Sequence, residues 1–162
     1  MTTEQSLVAT AIDAWKLNIG RADTLFSGLD DAGMQAEVAP GRNRLIYLWG
    51  HLIAVHDAML PLLGLGPRLH AELDAAFLTG ADRAVADLPS AAELKRLWSE
   101  VNGALLAGFG RFTAADWADK HTVVSADDFA KNPLRNRLAI LLSRTTHVGY
   151  HLGQARLAHD AD

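Results

Sequence analysis

Apolar positions recur at intervals of three and four along most of this chain, which is the period of an amphipathic helix. Leu7, Ala11, Trp15, Ile19, Ala22 and Phe26 trace one stripe and predict a first helix from about Thr3 to Phe26. Thr2 and Gln5 ahead of it have capping-box spacing, and Gly28 with Asp30–Gly33 ends it. Leu45, Leu48, Trp49, Leu52, Val55, Met59 and Leu62 trace a second helix, opening at Asn43 and kinked or ended by Pro61. Leu94, Leu97, Val101, Leu105, Phe109 and Phe112 mark a third, running from the Ser90–Glu93 capping-box pair to near Thr113. Leu134, Leu138, Leu141, Thr145, Val148, Leu152 and Ala155 mark a fourth, with Asn132 as N-cap, Pro133 at the first helical position and an end near Ala158.

Between the second and third helices, Pro67 to Leu88 holds a weaker pattern (Leu69, Leu73, Phe77) and reads as a long connection with some helical content. It is too long for a simple hairpin, so it crosses one end of the molecule or covers a site there. Asp116 to Lys131 reads as a loop, with Val123 and Val124 as a strand-like turn. Four amphipathic helices without a convincing strand pattern predict an all-α fold, an antiparallel four-helix bundle forming a single domain over residues 1–162.

Composition narrows the function. The chain has 15 basic and 19 acidic residues, a net charge of −4, and so offers no electrostatic support for nucleic-acid binding. It has no cysteine, which excludes disulfides, thiolate metal ligands and cysteine nucleophiles and accords with a reducing, cytoplasmic setting. Met1–Gln5 does not open like a signal peptide. Uncharged runs such as Leu45 to His56 fall short of the roughly 20 residues of a membrane-spanning helix. No membrane partner is expected.

Seven histidines carry the candidate chemistry. His147 and His151 are spaced i, i+4, which puts both rings on one helix face, one turn apart. They continue a row through Ile140, Arg144, Gln154 and Ala158 that borders the apolar stripe. Two such imidazoles can chelate one metal ion; from the spacing alone a polar face or a hydrogen-bonded pair of core histidines is the commoner reading. His51 shares the apolar face Leu48, Val55, Ala58 and Leu62 and is the natural third ligand, the alternative being a core histidine bonded to a carbonyl. Gly50 beside it permits close backbone approach. His56 lies about 140° round the helix and is expected near a surface with Asp57, while His70, His121 and His159 are expected in solvent. Tyr47 and Arg144 precede His51 and His147 by one turn and, with Tyr150, are pocket candidates. Arg144 is placed to meet an anionic substrate or a carboxylate. Gln154 is expected to hydrogen-bond, and Trp15 and Trp49 to sit in the core, at a dimer interface or beside the metal.

The segment Thr146-His147-Val148-Gly149-Tyr150-His151-Leu152-Gly153-Gln154 resembles the last-helix motif of the DinB-like superfamily, commonly Asn-His-x-x-His-His-Arg-Gly-Gln. The first member of that family's histidine triad lies early in helix two, where His51 stands. Tyr150 and Leu152 depart from the motif, so no substrate preference carries over. The resemblance implies a four-helix metalloprotein with a divalent ion, Zn²⁺ or Ni²⁺, on His51, His147 and His151, and a homodimer. It also implies kinship with thiol-dependent S-transferases and maleylpyruvate isomerase.

Three neutral imidazoles leave a divalent ion with open positions, the arrangement of catalytic sites. Such an ion polarises an oxygen or acidifies a water or thiol. Without cysteine in the chain, the thiol must be an external low-molecular-weight one. The expectation is a metal-dependent transferase or hydrolase-like enzyme acting on a small molecule; the alternative is a non-catalytic metal- or ligand-binding bundle.

Overall fold

The computed structural model describes residues 1–159, His159 by its backbone alone, so the expectation for that side chain lies outside the described residues. Helix α1 (Thr3–Ser27) starts at a complete capping box between Thr2 and Gln5. It buries Ala11, Trp15, Ala22, Leu25 and Phe26, while Leu7 at its exposed start stays outside the core. A 3₁₀ turn (Gly33–Gln35) leads to α2 (Leu45–Asp57) and α3 (Met59–Leu63). The cap of α2 is Arg44, one residue past the predicted Asn43. The break at Ala58 follows from Pro61, whose missing N–H removes the bond to the carbonyl four residues back. The Leu45–Leu63 stretch has 19 residues and a mean hydropathy of 1.3, so by length and composition it passes the membrane-span test that shorter uncharged runs fail. It is nonetheless 67% buried inside the protein, as a core helix would be.

The long connection contains a 3₁₀ turn (Ala71–Leu73) and α4 (Asp74–Phe77). Helix α5 (Ala91–Phe109) opens on Ser90, whose side chain accepts from the Glu93 N–H. The reciprocal half of the predicted box is absent because the Glu93 carboxylate pairs with Arg96 instead. The predicted loop after α5 holds two short helices, α6 (Ala114–Ala118) and α7 (Ala126–Lys131). Both are capped by a hydroxyl with an aspartate three residues on, Thr113 with Asp116 and Ser125 with Asp128. Helix α8 spans Arg137–His159 and so begins later than the predicted Asn132–Pro133. Asn132 instead ends α7 at φ −143° and ψ 87°, outside the helical region that the residue before a proline avoids. Asn136 Oδ1 caps the new start by accepting from Ala139 N–H at 2.9 Å.

The molecule is all-helical, and among the described residues its only β features are two isolated bridges. Helix α1 packs on α8 and α5, and α2 packs on the same two helices from the other side. Helix α2 is therefore enclosed: every residue in it is buried except Tyr47 and His51, which are half-buried. At 13 and 19 residues, α2 and α5 are shorter than the predicted spans from Asn43 to Pro61 and from Ser90 to near Thr113. All four tryptophans lie in the core, and Trp49 stacks on Phe26 at 5.2 Å.

Two ion pairs tie the connection to α2. At one end the Asp57 carboxylate, fully buried rather than at a surface, accepts from Arg68 Nε at 2.9 Å and from the backbone of Leu69 and His70. At the other, Asp82 accepts from the Arg44 backbone and guanidinium. Asp57→Ala leaves the Leu69 and His70 N–H groups without their acceptor while Arg68 keeps Asp74, so it is expected to cost about 1–3 kcal/mol, measured by urea denaturation.

Candidate metal centre

His51 rises from the enclosed α2, and His147 and His151 face it from α8. Their Nε2 atoms converge: His51 to His147 is 3.3 Å and His151 to His147 is 3.0 Å. One ligand atom from each of the three lies within 4.8 Å of the others. An ion with Zn–N bonds of about 2.0–2.1 Å in tetrahedral geometry spaces its ligand nitrogens by about 3.3 Å, so the donor set fits.

The outer nitrogens decide which way each ring presents its lone pair. His51 Nδ1 lies 2.7 Å from the Phe77 carbonyl, which can only accept, so Nδ1 carries the proton and Nε2 turns a lone pair inward. His151 Nδ1 lies 2.7 Å from Gln154 Oε1, and Gln154 Nε2 donates to the Tyr150 hydroxyl at 3.2 Å. With the amide oxygen on that side, Nδ1 is the donor and His151 also turns a lone pair inward. Fixed tautomers of this kind are how outer partners prepare histidine ligands. His147 differs, because its Nδ1 is buried without a hydrogen-bond partner.

Electrostatics favour the neutral forms of His147 and His151, as ligation requires. Burial, then the neighbouring His151 and His51, push His147 down to about 4. Burial lowers His151 against the opposing bond from Gln154.

Other predicted positions fall around this centre. The Tyr47 ring lies nearly parallel to His51 at 6.2 Å, but its hydroxyl donates to the Gly80 carbonyl at 2.8 Å and is not free to reach the triad. Burial raises its pKa. Tyr150 is exposed and touches the site through its ring against His151 at 5.1 Å. Arg144 is half-buried one turn before His147. Trp15 and Trp49 are core residues without a place at the triad. Gly50 does permit a close approach: a Cβ there would collide with the Phe77 ring. The Phe77 carbonyl is the site group that the side-chain pattern missed. The glycine inside an apolar helix was the one signal of it.

The remaining histidines correct the solvent expectations. His56 is fully buried and its Nδ1 bonds Asn102 Oδ1 at 2.9 Å; its ring packs on Trp15 at 4.6 Å. His121 is buried at 8% exposure, and the His70 side chain, at 12%, lies between Glu72 and Glu100.

The chain matches the DinB superfamily over residues 14–155 and belongs to it. No curated protein shows significant similarity to it.

Two outcomes test this arrangement. Gly50→Ala forces Phe77 away from α2, and an overpacking cost of about 1–3 kcal/mol with weakened metal binding is expected in melting and metal-titration curves. The second concerns acid. Burial, opposed by the Asn102 bond, holds His56 down to about 3, whereas an unfolded histidine titrates near 6.5. Between those values the unfolded chain binds the extra proton, so the contribution of His56 is fully present above pH 6.5 and declines as pH falls toward 3. Denaturation at pH 7.5 and 5.0 should show about 2 kcal/mol lost through this residue, and His56→Gln should flatten the slope by about one proton.

Proposed function

We propose that the chain is a metal-dependent enzyme, an antiparallel four-helix bundle whose His51, His147 and His151 hold one divalent ion, Zn²⁺ or Ni²⁺. Its reaction is S-transfer from an external thiol or a hydrolase-like step on a small molecule. The observation that carries this reading is the convergence of three Nε2 atoms, two of them with lone pairs turned inward by Phe77 and Gln154. Nitrogen donors alone suit zinc and nickel. The reading extends to a homodimer in the cytoplasm.

When bound, the ion supplies Lewis acidity that acidifies a thiol or water and polarises a substrate oxygen. The chain's own residues do the rest. His51 and His151 enter as neutral ligands with their Nδ1 protons kept by Phe77 and Gln154, so no ligand charge offsets that of the ion. Tyr47 walls one side of His51 while Gly80 holds its hydroxyl. Without cysteine, the chain offers no competing thiolate.

Untagged protein should carry about one divalent ion per chain by elemental analysis. His51→Ala and His147→Ala should each abolish stoichiometric metal while leaving the helical circular-dichroism signal. A screen with several low-molecular-weight thiols should then reveal turnover that chelation removes. Metal retained by both variants would overturn the site, and unfolding on chelation would favour a structural ion.

A further inference from the structure

Four arginines here have substantially covered side chains, and three of them are matched to carboxylates. Arg44 pairs with Asp82 at 2.7 Å and Arg68 with Asp57 at 2.9 Å. Arg137 reaches Asp119 at 3.4 Å and the carbonyls of Leu63 and Asp116. Arg144 is the exception: it has neither an ion pair nor a hydrogen bond among the described residues, and its Nε is sealed from water without a partner. That nitrogen loses hydration and gains nothing in return, while the two terminal nitrogens are not among the sealed atoms. Its position adds meaning, because on α8 a residue three before His147 is that ring's neighbour on the same face. Its charge is felt at both His147 and His56.

We propose that Arg144 is the anchor for a carboxylate on the substrate, held beside the three-histidine centre. This rests on the triad being the reaction site and assigns the class of molecule it takes. The planar guanidinium fork matches a carboxylate, to which it can donate two parallel bonds. A dianionic phosphate would call for further cations, whereas one guanidinium is enough for a carboxylate. A carboxylate seated there would replace the missing partner and bring the adjoining part of the molecule to the metal.

The test uses the zinc-loaded chain, titrated with propionate and with its uncharged analogue propionamide and followed by amide chemical shifts. Zinc content and melting temperature are measured on every sample. Saturable propionate binding is expected in the wild type, at least about tenfold weaker in Arg144→Gln and for propionamide, and partly restored in Arg144→Lys. Arg144→Gln should keep its zinc and melt no lower than the wild type, since it removes an unmatched charge. Equal propionate binding by Arg144→Gln, or equal binding of propionate and propionamide, overturns the proposal. So does a melting point lowered by several degrees, which would mark a structural arginine. If the wild type holds no zinc, the metal reading fails by itself, and the same titration on the metal-free chain still decides the role of Arg144.

Discussion

Three ring nitrogens that all point at one another cannot satisfy each other. With protons held on Nδ1 of His51 and His151, both rings present lone pairs, and the single N–H of His147 has two acceptors to serve. A divalent cation placed among them would take up those lone pairs, and neighbouring groups keep the rings in this arrangement. The Phe77 carbonyl excludes the tautomer of His51 that would supply a second N–H there, and the Gln154 oxygen favours the matching tautomer of His151.

The long connection after α3 is the part that couples fold to site. Its ends are tied to α2 by Asp57 with Arg68 and by Asp82 with Arg44. Between those ties, Phe77 lies against Gly50 and Gly80 receives the Tyr47 hydroxyl. The segment thus reaches His51 through backbone carbonyls, groups that any sequence carries and whose position depends on what is packed around them. Enclosure of α2 also explains why His56 is fully buried, among Trp15, Trp98 and Asn102.

Much of this was legible beforehand. The stripe from Ala11 to Phe26, the Ser90 cap and the four-residue step between His147 and His151 depend only on helical period and local hydrogen bonding. Readings failed where a residue's role lies outside its own turn. Asn132 has the chemistry of an N-cap but ends α7, because Asn136 competes for α8. Thr113 and Ser125 cap short helices through aspartates in a stretch without apolar period. His121 and Asp57 look solvated by type, yet other elements close over them.

The sequence by itself therefore determined the helical class, the residues able to bind metal and the lack of any internal thiol, because these follow from periodicity and side-chain chemistry. Tertiary structure alone decided that residue 51 meets 147 and 151, that a carbonyl from the connection sets the tautomer of His51, and that Arg144 is left without a carboxylate. Each of those depends on distances between segments far apart in the chain, which local pattern does not encode.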